Sequence, residues 1–270
     1  MDSTLLSPDR RRADRARLPD EVVDVLAVGG GLTGAAVALD AAGRGLSVGL
    51  LEARDWAAGA SGRPAVLLAH PGAPASPRVR EELRERSRLL WTAAPHLVRP
   101  VPLLLPLPGA ASRGTAAQAV DAATAGLPGV PPSRTAHLPL VGAHRRDAVR
   151  DGGPAAPGLP RDAVDRVLHR YGDRVGEVLA PVRADPRLGH PLPGAPAYLA
   201  TEVVHAVVAE GALHVDDVLT RRTALSLTTD RGAGAAPAVA ALMAGPLGWD
   251  AARTAREAAA AAAPDARTAG

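Results

Sequence analysis

The feature that most limits what this chain can become is Gly29-x-Gly31-x-x-Gly34, set between two different residue periodicities. Ahead of it, Val22-Val23-Asp24-Val25-Leu26-Ala27-Val28 is a short, β-branched apolar run, suited to a buried parallel strand. Behind it, Leu32 to Ala42 is a run of small residues that predicts a helix ending near Gly43. Ser47-Val48-Gly49-Leu50-Leu51-Glu52 then reads as a second apolar strand that ends in an acid. A glycine pattern alone is weak. Between a strand and a helix, with an acid at the end of the next strand, it reads as a dinucleotide cradle. Gly29 allows the tight turn, Gly31 lets backbone approach a pyrophosphate, and Gly34 lets the helix pack close to the sheet. The helix N-terminus offers N–H groups and partial positive charge to phosphates. Glu52 would accept hydrogen bonds from ribose hydroxyls, which favours FAD or NAD over a 2′-phosphorylated cofactor.

Composition narrows the remaining choices. The 270 residues include no Phe, Cys, Lys, Ile or Asn, a pattern that reads as coding pressure towards GC-rich codons. All 31 basic residues are therefore Arg, yet 28 acids hold the formal net charge at +3. That balance, without a concentrated basic face, argues against a nucleic-acid partner. The lack of Cys excludes disulfides, thiolate zinc sites, iron–sulfur clusters and a Cys nucleophile. With 47% hydrophobic residues but only 2% aromatic, the core must be built from Val, Leu and Ala.

Along the chain, residues 1–19 are expected to be a disordered polar leader. Their arginines are not followed by an apolar run of signal-peptide length, so a twin-arginine export signal is not expected. Residues 20–107 form a partial dinucleotide-binding domain, with a loop over 57–77, an amphipathic helix over 78–91 and a short edge strand over 101–107. Residues 108–160 form a linker and loop with one helix, 115–125. Residues 161–263 predict a helical domain with helices 161–183, 197–210, 214–222, 233–244 and 249–262, followed by a tail over 264–270. No transmembrane segment is expected.

The stretch from Asp24 to Glu52 resembles the N-terminus of the FAD-dependent glycerol-3-phosphate dehydrogenases, as does Arg80 to Pro106. Further segments resemble the same family in the same order. They are Ala119 to Ala123, Leu127 to Pro131, Leu138 to Ala143, Glu210 to Thr223, Asp230-Arg-Gly and Leu247-Gly-Trp-Asp250. The resemblance implies an α/β, Rossmann-like FAD-binding fragment at the N-terminus plus an all-α C-terminal domain. It implies FAD as cofactor, with Gly29, Gly30, Gly31, Thr33, Gly34, Glu52, Gly59 and Ser61 as cofactor-binding residues. It also implies oxidation of sn-glycerol 3-phosphate to dihydroxyacetone phosphate, with electrons passing to a quinone. The location it implies is cytoplasmic, with a peripheral position on the inner face of the membrane as a further option. Oligomeric state stays open.

The departures from the family are local. Family members are much longer, and the missing part falls between about Leu107 and Thr115. In the segment after Glu52, Gly59, Ser61 and Arg63 match. The family's second Ser pair reads Pro64-Ala65, its Lys reads Val66, its Arg-Tyr pair is absent, and His70 with Gly72 stands as a displaced remnant. The expectation is therefore FAD binding that is weak or lost, with no catalytic residue assigned. The alternatives are a non-catalytic remnant or interaction protein that keeps only the ADP cradle, and a minimal adenine-nucleotide binder. His70 is weighed as a proton acceptor against a solvated loop histidine. His205 and His214 with Asp216 and Asp217 do not share a helix face, so no metal site is expected. Arg221 and Arg222 read as structural, and Leu247 with Trp249 as packing for the last helix.

Overall fold

The computed structural model describes residues 6–59, 113–143 and 158–263. Ser61, Val66 and His70, the helix expected over 78–91, the edge strand over 101–107 and the tail 264–270 lie outside those residues.

Strand β1 (Val25–Val28) and strand β2 (Val48–Leu51) pair in parallel, Val25 opposite Val48 and Val28 opposite Leu51. Helix α2 (Leu32–Gly43) crosses between them, as the periodicity predicts. The leader is a different matter. Residues 8–17, expected to be disordered, form helix α1 (Pro8–Arg17). Its start carries a helix signal that the charge density obscured. The Ser7 hydroxyl accepts the N–H of Arg10, Pro8 occupies the first turn, and Asp9 sits beside the positive end of the dipole. Ion pairs of Arg10 with Asp14 at 2.8 Å and of Arg17 with Glu21 at 2.7 Å follow the four-residue spacing of a helix face.

Helix α3 (Arg113–Ala123) packs along α2. Val25, Ala41 and Val120 form the small apolar core of this unit. A buried polar knot extends it. Arg44, capping α2, donates to the Asp40 carboxylate at 2.8 Å and to the Ala117 carbonyl at 3.2 Å. The Asp40 carboxylate also accepts the Thr135 hydroxyl at 3.2 Å, so α2, α3 and the 133–135 segment share one buried acid.

The helix expected over 161–183 is two helices, α4 (Arg161–Tyr171) and α5 (Val175–Ala184). Gly172 separates them at φ +59°, and any Cβ there would strike the Gly142 carbonyl. The C-terminal unit is also not all-α. Strands β3 (Pro191–Leu192) and β4 (Ala195–Leu199) form an antiparallel hairpin around Pro193-Gly194. Helix α6 (Ala200–Val208) follows, shorter than the expected 197–210 because β4 occupies its start. Over 214–222 a single α turn, Val215–Asp217, runs into a π turn, Val218–Arg222. Helices α7 (Ala236–Leu247) and α8 (Ala251–Ala262) close the unit. Val203, Val207, Leu219, Val239 and Met243 are buried in its core, and Leu247 and Trp249 pack against it.

The two units touch directly. The Leu6 N–H donates to the Ala209 carbonyl at 3.0 Å, and Arg11 of α1 donates to the Gly211 carbonyl at 3.2 Å.

Candidate functional site

The site is built from the end of β1. Gly29 sits at φ +105°, where an L side chain is strained, and its N–H donates to the Leu51 carbonyl at 2.7 Å. The chain thus leaves β1 and turns at once into α2 while still held to β2. Gly31 is the residue before the helix. Its carbonyl accepts the Ala35 N–H at 2.9 Å, and as a glycine it brings no side chain of its own to this end of α2. A Cβ on Gly34 would fall on the Gly29 carbonyl oxygen and come within 3.5 Å of Leu50 Cδ1. The third glycine is thus needed mainly because the first turn of α2 lies against the cradle's own backbone, and only secondarily because of the sheet.

These residues surround a concavity of about 400 Å³, whose lining includes Val28, Gly29, Gly31, Leu32, Thr33 and Gly34. The positive end of the α2 dipole faces it, the arrangement that suits an anionic oxygen. Thr33 is exposed, and Val28 on the rim is 80% exposed.

Glu52 lies behind the loop. One carboxylate oxygen accepts the Gly30 N–H at 2.7 Å and the other accepts the Arg54 N–H at 2.9 Å. These bonds, the Arg54 one foremost, hold its carboxyl below the usual range and keep it anionic at neutral pH. The acid expected to meet ribose hydroxyls is therefore already engaged with backbone. An ionised carboxylate has about four lone-pair sites, so this engagement leaves room for outside donors. Gly30, the middle glycine, is buried. A Cβ there would meet Trp56 Cε3 at 2.5 Å and Glu52 Cβ at 3.0 Å. Gly59, the last described residue of the loop, is exposed, and no described residue comes within 4 Å of where a side chain would stand.

Sequence reasoning missed Asp55 and Trp56. Asp55 is buried, and its carboxylate accepts Arg222 at 2.6 Å and Arg221 at 3.3 Å. Arg11 lies 3.5 Å away. Arg221 and Arg222 thus have the structural role assigned to them, though by pairing across units and not through a helix dipole. No sequence spacing signals an acid and an arginine 167 residues apart. The histidines considered for a metal are dispersed to other duties. His214 pairs with Glu257 at 3.0 Å, and His205 is buried edge-on to the Tyr171 ring, 5.3 Å between centroids. Among the described residues no group of three or more potential ligands converges. No helix among them is long and apolar enough to cross a membrane.

Two family models match the chain over overlapping stretches. A family model described as FAD dependent oxidoreductase matches residues 24–174, and one described as the C-terminal domain of alpha-glycerophosphate oxidase matches residues 133–254. Glycerol-3-phosphate dehydrogenase 2 of Mycobacterium tuberculosis is 41% identical over 150 residues, covering 54% of this chain and 26% of the relative. Glycerol-3-phosphate dehydrogenase of Mycobacterium leprae is 46% identical over 110 residues, 39% of this chain and 19% of the relative. Aerobic glycerol-3-phosphate dehydrogenase of Staphylococcus saprophyticus is 38% identical over 114 residues, 40% and 20%. The matched stretch thus spans about a quarter or less of these curated relatives. No solved structure matches the chain.

Proposed function

This chain belongs to the family of FAD-dependent oxidoreductases, and from that premise we propose that its glycine loop is the cradle for the ADP portion of FAD. The observation that carries the reading is the first turn of α2 opening onto a concavity lined by Gly29, Gly31, Thr33 and Gly34, with Gly29 at φ +105° making the turn out of β1. Gly31, Thr33 and Gly34 would meet the pyrophosphate, with Gly29 making the turn. Glu52 would hold Gly30 in place and use its free lone pairs for ribose hydroxyls. Gly59 and Ser61 would extend the site along the loop.

FAD, when bound, supplies hydride acceptance. The relatives' names give glycerol 3-phosphate as the substrate to propose; the family resemblance adds dihydroxyacetone phosphate as the product and a quinone at the membrane surface as the electron acceptor. The residues described here fit the nucleotide half of the cofactor. On β1 they offer the exposed side chains of Leu26 and Val28, 52% and 80% exposed, and no wall for a flavin ring stands among the described residues. We therefore propose weak FAD binding held by its ADP end.

That same exposed strand favours a second reading, a non-catalytic remnant or interaction protein that retains the ADP cradle alone. A visible spectrum of the purified chain with added FAD decides between them. Bound yellow flavin that bleaches with glycerol 3-phosphate supports the oxidoreductase. A colourless protein stabilised by ADP but not by flavin mononucleotide supports the remnant, and one stabilised by neither defeats both.

A further inference from the structure

The loop after β2 is fastened at both ends. On the cradle side it brackets Gly30. Glu52 takes the Gly30 N–H, the Ala57 N–H donates to the Gly30 carbonyl at 2.9 Å, and the Trp56 ring fills the space where a Gly30 side chain would stand. Every polar group and the open face of that glycine are thereby occupied by this one loop. On the other side the loop ends in the helical unit. Asp55 is 3% exposed and faces three guanidinium groups, of Arg222, Arg221 and Arg11. The Arg222 group also donates to the Glu210 carbonyl at 2.9 Å, and Arg221 also pairs with Asp217, so both are anchored in the C-terminal unit. Arg11 lies over the Trp56 ring at 5.2 Å, and a Cβ on Gly211 would be 3.6 Å from Trp56 Cδ1. Ala57, itself bonded to Gly30 and two residues after Asp55, sits at φ +60°, a conformation that persists in a non-glycine residue only where its surroundings over-determine it.

We propose that Arg222 is a positioning residue of the nucleotide cradle: through Asp55 and Trp56, the helical unit sets the conformation of Gly30. The cradle's shape is then not a property of the strand–turn–helix unit alone. The C-terminal unit, none of whose described residues lines the concavity, controls how well the concavity is formed. Asp55 serves as the relay. Its burial against cations belonging to the other unit fixes the loop backbone, and Ala57 and Trp56 follow from that. The proposal rests on the nucleotide reading for its consequence, but its structural core can be tested without any ligand.

The test uses the full chain and amide hydrogen exchange, comparing wild type with Arg222→Gln, Arg222→Lys and Asp55→Asn. The expected result is exchange at Gly30 and Ala57 faster by about tenfold or more in Arg222→Gln and Asp55→Asn, with β1 and α7 amides still protected. Arg222→Lys, which keeps the charge, should recover part of that protection. Unchanged exchange at Gly30 and Ala57 in folded variants would overturn the proposal. Should Asp55→Asn fail to fold, Trp56→Leu leaves every ion pair in place and gives the same readout, rapid Gly30 exchange supporting the proposal and full protection refuting it. ADP titration of the same proteins should show affinity lowered about tenfold. If wild type gains no thermal stability from ADP while the exchange pattern holds, the nucleotide reading fails and the positioning role of Arg222 stands.

Discussion

The Glu52 carboxylate accepts the N–H of Gly30 at 2.7 Å, which makes the acid at the end of β2 and the middle glycine of the cradle one hydrogen-bonded unit. Removing it leaves a buried donor without its partner. We expect Glu52→Ala to cost about 1–3 kcal/mol in urea denaturation, and Glu52→Gln to cost less, since its carbonyl still accepts one N–H. Because the folded carboxyl lies below its ordinary value, its contribution is present at neutral pH. It is lost as pH falls through the folded pKa. Glu52→Gln should therefore flatten the acid limb of a stability–pH curve.

The Gly34 position has no room for a methyl group, because the Gly29 carbonyl already fills it. We expect Gly34→Ala to lose roughly 1–3 kcal/mol through overpacking and to abolish any thermal shift with ADP. Gly59→Ala is the matched control. No described residue lies within 4 Å of its added methyl, so its melting curve should stay within about 0.5 kcal/mol of wild type.

His205 is buried in the helical unit, and its pKa is lowered from 6.5 to about 4, chiefly by burial and further by Arg174 and Arg170. The unfolded chain binds a proton there as pH falls below about 6.5, while the folded chain stays neutral until about 4. Stability from this group is full above the unfolded pKa and declines across that window, by on the order of 3 kcal/mol. Glu210, its carboxyl raised by burial, acts in the opposite sense as pH rises. Comparing wild type with His205→Leu isolates the histidine: the difference in unfolding free energy should narrow steadily from pH 6.5 to 4.

Glu202 is buried under Arg166, which reaches both of its oxygens at 2.6 and 3.0 Å, and it also accepts the Leu199 N–H at 2.8 Å. We expect Glu202→Ala to destabilise the helical unit by about 3–5 kcal/mol, read as a lower thermal midpoint. Leaving Arg166 partly buried without its carboxylate is the cause.

Where structure departs from sequence expectation, the reason is physical in each case. In α1, alternating Arg and Asp read as solvated polymer. The same alternation at four-residue spacing, behind a Ser-Pro-Asp start, is what holds the helix. The break at Gly172 was hidden because the amphipathic pattern continues across it, and the carbonyl that demands a glycine comes from Gly142. In the C-terminal unit the β3–β4 hairpin takes residues 197–199 of the expected helix into β4, because Gly194 at φ +78° turns the chain back against Pro191–Leu192.

The sequence alone determined the strand–turn–helix–strand unit, because its signals are local: apolar runs, glycines at fixed spacing and an acid at a strand end all lie within residues 22–52. Tertiary structure alone decided what surrounds Gly30. Trp56 over its face, the Glu52 carboxylate on its N–H, and Asp55 locked to Arg222 depend on bringing together groups up to 167 positions apart. Burial gives those pairings their strength, since a carboxylate and a guanidinium that would merely be solvated in an extended chain hold each other firmly once water is excluded.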